Sequence, residues 1–253
     1  MPEDLKDQIV KAHELYYSHI TGPIGGRDRF EWVARVFFKN IAGKKILEIG
    51  CGEGSLLELI SKNNEVYGVD ISSSGVEKTK KKGIPCHLAD ASNERLPYED
   101  NFFDIVISLE TIEHVENPHR MVWEIKRILK DQGTFLVSIP GSKVVHPFIY
   151  PGLFSRKNFS EFLEQNYFEI EKVTGWGQSP MLSHWEKKTR EKGSGFGHIL
   201  ADIVYYIGRK RNLLMRKRFG TPLSRAYCVN FLCTNIKTRI SRVEEVAART
   251  TPL

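Results

Sequence analysis

The stretch from Ile46 to Gly54, ILEIGCGEG, constrains this chain more than any other. An apolar run reaches Glu48, glycines recur at Gly50, Gly52 and Gly54, and a helical pattern opens at Ser55. A strand tip that turns this tightly needs glycine, because a Cβ would block both the turn and a close ligand. The helix start that follows offers free backbone N–H groups. Such a crevice, at the carboxyl end of a parallel strand, is where doubly wound sheets bind nucleotide-like ligands.

The spacing speaks against a dinucleotide. A G-x-G-x-x-G fingerprint would put its third glycine at position 55, which is Ser55. The acid before the glycines, Glu48, suits a ligand carrying an ammonium group better than a pyrophosphate. Twenty residues after Gly50, the run Glu65 to Asp70 reads as a second strand ending in a carboxylate. Asp70 is placed to accept from both hydroxyls of a ribose. A third strand, Pro85 to Asp90, ends in an acid that could accept from an exocyclic adenine amine. Three acids at three successive strand tips would frame an amino-acid tail, a ribose and an adenine.

Between Lys44 and Pro140 the chain carries, in order, LEIGCGEG, VYGVDIS, LADA, LPYEDNFFDIVIS and ILKDQGTFLVSIP. In these motifs it resembles the class I S-adenosylmethionine-dependent methyltransferases of the type 11 kind. The resemblance implies a doubly wound α/β fold around a mainly parallel, seven-stranded, Rossmann-like sheet. N-terminal helices would cap the crevice, and the last two strands would pair antiparallel beyond the fifth. It also implies S-adenosylmethionine as cofactor, with Glu48, Gly50, Cys51 and Gly52 at the methionine part. Asp70 and Ile71 would face the ribose, Asp90 and Ala91 the adenine, and Leu109 and Glu110 the sulfonium. The expected organisation is a helical cap over 1–43, a cofactor-binding core over 44–177, an insertion over 178–226, and a last strand with tail over 227–253.

The segment after the fourth strand holds Glu110, Glu113 and His114. At offsets 0, 3 and 4 on a helical turn these side chains would share one face. Glu, Glu and His form an oxygen-and-nitrogen set suited to magnesium, manganese or zinc. The E-x-x-E-H pattern resembles the ubiquinone-biosynthesis O-methyltransferases. It also resembles metal-dependent methyltransferases of small-RNA 3′ ends, whose further histidine would here be His146. Two readings stay open: a metal on Glu110, Glu113 and His114, or Glu113 or His114 as a metal-free base. Around them, His184, His198, Tyr150, Trp176 and Trp185 lie in substrate-side regions.

Charge is distributed unevenly. The chain has a net charge of +6, yet Gln178 to Tyr227 holds eleven lysines and arginines against three acids. Within that segment, Ile199, Leu200, Ile203, Val204 and Ile207 fall on one helical face. Two basic triplets follow, at 209–211 and 216–218. A helix over 198–218 with this pattern suits a membrane surface, a cap over the substrate site, or RNA. Helices over 3–20 and 27–41 flank a turn at 21–26, the second with Phe30, Trp32, Val33, Val36 and Phe37 toward a core.

Cys51, Cys86, Cys228 and Cys233 show no C-x-x-C spacing, which points to reduced thiols in a cytoplasmic protein. No apolar run is long enough to span a bilayer, and MPEDLKDQIV does not read as a signal peptide. The resulting expectation is a cytoplasmic methyltransferase, peripheral to the membrane, acting on an oxygen of a small-molecule or lipid-like acceptor. The alternatives are an RNA methyltransferase using the basic insertion, a cofactor-binding regulator without transfer activity, and an NAD-dependent oxidoreductase.

Overall fold

A computed structural model describes residues 27–141, 150, 152–176 and 228–237. The expected helix over 3–20, His146, and the whole basic insertion with its 198–218 helix lie outside the described residues. So do His184, His198 and Trp185.

Seven strands form one sheet: β1 (Lys45–Ile49), β2 (Glu65–Asp70), β3 (Cys86–Leu88), β4 (Phe103–Leu109), β5 (Leu129–Pro140), β6 (Phe168–Trp176) and β7 (Cys228–Asn235). Their spatial order is β3-β2-β1-β4-β5-β7-β6. The first five strands run parallel, and β7 pairs antiparallel with both β5 and β6. This is the mainly parallel, doubly wound sheet expected from the alternation of strand and helix patterns. The order reverses beside β1, so the crevice opens beyond the carboxyl ends of β1 and β4.

Among the described residues, five α-helices accompany the sheet: α1 (Arg27–Phe37), α2 (Ser55–Ile60), α3 (Ser73–Lys81), α4 (Pro118–Ile128) and α5 (Arg156–Gln165). Helix α4 forms where the sequence predicts it. The Asn117 side chain accepts from the Arg120 N–H, Pro118 occupies the first turn, and Met121, Val122, Ile125 and Ile128 are fully buried. Complete burial contributes about 1.5–3 kcal/mol per large apolar side chain.

Three boundaries differ from the sequence reading. Strand β3 is only Cys86–Leu88, because it is the sheet edge and pairs on one side alone. Strand β5 begins at Leu129, which pairs with Phe103 before a register shift. On α1, Trp32 and Val33 are buried, but Val36 is 36% exposed, and the inward position on that face belongs to Arg29. Among the described residues, no helix is long and apolar enough to cross a membrane.

Candidate cofactor site

The parallel register brings the sequence-predicted acids to one end of the sheet. Glu48 lies opposite Gly68 and Ile107, and Asp70 lies opposite Leu88. Beyond Ile49 the chain folds back on β2: the Gly50 and Cys51 N–H groups donate to Val69 O at 2.8 and 3.2 Å. Gly50 has φ +77°, and a Cβ there would sit 2.2 Å from the Thr111 hydroxyl oxygen. No side chain fits that position, so the glycine is a geometric requirement. Thr79 donates to Gly52 O at 2.8 Å and ties the loop to α3.

Asp70, only 4% exposed, organises the loop. Its Oδ2 accepts from Gly52 N at 2.7 Å and its Oδ1 from Ser72 N at 2.8 Å. As a carboxylate at the tip of β2 it has the acceptor chemistry that ribose hydroxyls require. Asp90 is more occupied. Its Oδ1 accepts from the Ser92 N–H and hydroxyl at 3.0 and 2.7 Å, and its Oδ2 from Asn93 Nδ2 at 2.9 Å. Ala91 and Leu109 are buried and Ile71 is half-buried nearby in the chain. Cys51 places its sulfur 3.5 Å from that of Cys86, and all four cysteines are buried and free.

Glu48 is buried, and its Oε2 has no hydrogen-bond partner among the described residues. Desolvation pushes its carboxyl up to about 8, against the opposing pull of the Arg29 guanidinium. An orphaned buried acceptor beside an open glycine loop is what an incoming ammonium group would satisfy. The residues therefore fit the amino-acid tail, and Asp70 fits the ribose, of S-adenosylmethionine. One outcome follows from the sign of this shift. At pH 7 Glu48 is mostly protonated, and a bound ammonium would favour the carboxylate, so binding of S-adenosylhomocysteine should release about one proton. Calorimetry in two buffers of different ionisation enthalpy measures it. Glu48→Gln should abolish that release, and an identical release in the variant would exclude Glu48 as its source.

Glu110, Glu113 and His114 do not share a helical face. Glu110 has φ +54°, outside any helix, and only Ile112–His114 form a short 3₁₀ turn. The left-handed backbone directs the Glu110 carboxylate to the Ser138 hydroxyl, at 2.9 Å. Glu113 instead points inward, fully buried, with neither oxygen hydrogen-bonded among the described residues. Its Oε1 lies 3.9 Å from Nε2 of half-buried His114. Burial first, then the nearby Glu110, hold its carboxyl well above the usual range. Among the described residues no group of three His, Cys, Asp or Glu is placed to hold a metal. Glu110 is engaged by Ser138, so the three side chains do not form the shared helical face that the spacing predicted.

Of the other candidates, Trp176 packs in the core, and Tyr150 donates to Glu116 O at 2.8 Å. Arg29 is the residue that sequence reasoning missed. It is 3% exposed on α1, donates from Nη2 to Ser138 Oγ at 3.0 Å, and lies 3.9 Å from Glu110 Oε1. Its signal was present: Arg29 stands three and four residues before Trp32 and Val33, on their inward face.

Comparison with known proteins bears on the same strands. A family model described as a methyltransferase domain matches residues 47–137. The chain is 30% identical over 156 residues to the "probable S-adenosylmethionine-dependent methyltransferase" of Mycolicibacterium smegmatis, covering 58% of this chain and 60% of that protein. It is 26% identical over 172 residues to the ubiquinone biosynthesis O-methyltransferase of Glaesserella parasuis, covering 56% and 72% respectively. The chain spans about half the length of several curated relatives that it matches. Relatives are named for O-, C- and N-methylation and, in one case, for arginine hydroxylation. The fold is shared with phosphoethanolamine N-methyltransferase 2 of Haemonchus contortus, solved with S-adenosylhomocysteine and phosphomonomethylethanolamine. The TM-score is 0.55 at 20% identity, covering 86% of this chain and 54% of that one. The matched segment runs from β1 into β5, contains the glycine loop and the strand-tip acids Glu48, Asp70 and Asp90, and makes residues 47–137 similar to the methyltransferase-domain family.

Proposed function

We propose that this protein transfers a methyl group from S-adenosylmethionine to an oxygen of a small-molecule or lipid-like acceptor. The observation that carries the reading is the glycine loop held by Asp70 beside buried Glu48, whose Oε2 has no hydrogen-bond partner among the described residues, with Asp90 two strands along at the same end of the sheet. When bound, S-adenosylmethionine supplies a methyl group on positively charged sulfur, and that charge vanishes as the methyl–sulfur bond breaks with its electron pair kept by sulfur. Glu48 would hold the ammonium and Asp70 the ribose hydroxyls. His114, the more accessible of its pair, would take the proton from the acceptor hydroxyl as the new carbon–oxygen bond forms. Glu113, 3.9 Å behind it, would orient the imidazole and balance its charge. Alignment of the reacting atoms and exclusion of water supply most of the remaining rate.

Oxygen as the target is supported by the E-x-x-E-H segment and by the O-methyltransferase among the relatives. The amphipathic basic stretch over 198–218 would bring a lipid-like acceptor within reach at a membrane surface, from the cytoplasmic side. A transfer screen with methyl-labelled S-adenosylmethionine against small-molecule, lipid and RNA extracts tests the assignment. Label should enter a small-molecule or lipid fraction as a methyl ether or ester, and should survive exhaustive chelation. Label confined to RNA would overturn the acceptor class. Binding of S-adenosylhomocysteine with no label in any fraction would overturn transfer itself.

A further inference from the structure

Loops leave the crevice end of the sheet after β3, β4 and β5, and a single side-chain amide ties the first two together. Asn93 stands three residues after Asp90, in a turn where the Asn93 and Glu94 N–H groups donate to Asp90 O at 3.0 and 2.8 Å. Its Nδ2 donates to Asp90 Oδ2 at 2.9 Å and to Glu116 Oε2 at 2.8 Å. Both acceptors are carboxylate oxygens, so chemistry fixes which way the amide points: its own oxygen has nothing to accept from either acid. The two N–H groups of one planar amide each hold one acid. Bonds of this kind, with an ionised acceptor, are roughly twice as strong as those between neutral groups.

Glu116 lies close to the candidate base, with only Val115 between it and His114. The stretch has little slack. The His114 N–H donates to Thr111 O at 2.9 Å and closes the 3₁₀ turn, while Asn117 caps α4 by accepting from the Arg120 N–H. The Tyr150 hydroxyl donates to Glu116 O at 2.8 Å, so the segment ahead of α5 reaches the same residue. Farther along the β3 loop a second anchor exists. Leu96 N donates to Glu124 Oε1 at 2.8 Å, and Leu96 O accepts from Arg127 Nη2 at 3.1 Å. That anchor holds the loop on α4 without Asn93, so loss of the Asn93 amide should loosen the crevice end and leave the fold intact.

Accepting that the crevice binds S-adenosylmethionine with its adenine at Asp90, and that His114 is the base, we infer that Asn93 is a positioning residue that couples the two. An exocyclic amine donating to Asp90 restrains that carboxylate, Asn93 passes the restraint to Glu116, and Glu116 steadies the turn that carries His114. Contiguous hydrogen bonds of this sort carry coupling between sites. The nucleoside thereby helps to set the base, although it does not touch it.

Amide hydrogen exchange tests this without a methyl acceptor. The probes are S-adenosylhomocysteine and S-inosylhomocysteine, in which a 6-oxo group replaces the exocyclic amine, each at saturation. In the wild type, S-adenosylhomocysteine should slow exchange at 112–116 about tenfold, the scale of one hydrogen bond to a charged group. S-inosylhomocysteine should slow the glycine loop, 50–54, but leave 112–116 nearly unchanged. In Asn93→Ala and Glu116→Ala, S-adenosylhomocysteine should likewise protect 50–54 and no longer 112–116. Glu116→Gln keeps an acceptor oxygen for Asn93 and should retain the protection. Equal protection of 112–116 in Asn93→Ala and the wild type would overturn the inference, and so would its loss in Glu116→Gln. Should Asn93→Ala fail to fold, the contrast between Glu116→Ala and Glu116→Gln decides alone, and no difference between them overturns the coupling. Wild-type protection confined to 50–54 would leave the cofactor reading standing and sink this inference. No protection at either place would sink the cofactor reading first, and this inference with it.

Discussion

Replacing His114 with alanine should lower methyl transfer by about 10²–10⁴-fold, the usual contribution of a positioned general base. Binding of S-adenosylhomocysteine should change little, because His114 sits on the 3₁₀ turn after β4 and not in the glycine loop or at the tips of β1 to β3. Two structural facts favour His114 over Glu113 as the proton acceptor. The imidazole is half-buried and open to an acceptor, whereas the Glu113 carboxyl is sealed from solvent, and burial followed by the nearby Glu110 pushes it well above the usual carboxylate range. An acceptor hydroxyl can reach the imidazole more readily than the carboxyl. The place of Glu113 3.9 Å from Nε2 lets it respond to the imidazole once that ring is charged. Glu113→Gln should accordingly cost less than His114→Ala. Measuring single-turnover transfer alongside ligand affinity separates chemistry from binding. A His114→Ala variant transferring at the wild-type rate would remove His114 from the mechanism and move the proton to another acceptor.

Asp70→Ala should weaken S-adenosylhomocysteine binding by about a hundredfold or more. Bonds to a charged acceptor contribute about 1.5–3 kcal/mol, and about 1.4 kcal/mol corresponds to tenfold in affinity. Loss of the ribose bonds alone therefore predicts ten- to a hundredfold. The structure raises the expectation, because the same carboxylate accepts from Gly52 N and Ser72 N and so holds the loop between β1 and α2 to the loop before α3. Without it two buried N–H groups lose their partner, at about 1–3 kcal/mol each. The variant should thus also melt at a lower temperature. Asp70→Asn is no remedy, since its amide nitrogen would face one of those N–H donors. Calorimetry with S-adenosylhomocysteine and NADH checks both sides: wild-type affinity in Asp70→Ala, or binding of NADH alone by the wild type, would overturn the assignment of the crevice.

Much of the fold was legible because it is built from local rules. Strand β2 has the bounds read from the sequence, Glu65 to Asp70, with an apolar middle that the sheet buries between acids at its two ends. Helix α4 followed from Asn117, Pro118 and a helical repeat of core residues. The strand-tip acids were legible for a related reason: in a parallel sheet, residues that end successive strands necessarily share one edge. What failed was anything set by neighbours distant in sequence. Leu129 looked like the end of a helix until Phe103 paired with it, and β3 was shortened by its place at the edge.

The triad is the clearest case. Spacing alone put Glu110, Glu113 and His114 on one helical turn, an inference that assumes a helix. The tertiary structure decides otherwise: Glu110 has a left-handed backbone and its carboxylate accepts from Ser138 on β5 and lies 3.9 Å from Arg29 on α1. The sequence by itself determined the sheet, the glycine loop and the identity of the acids at its edge, since each depends on periodicity and backbone sterics within a few residues. Only the tertiary structure decided which of those acids are satisfied, which are buried protonated, and which cation they face. Those outcomes depend on desolvation and on partners as far apart in the chain as Arg29 and Ser138, and no local pattern records them.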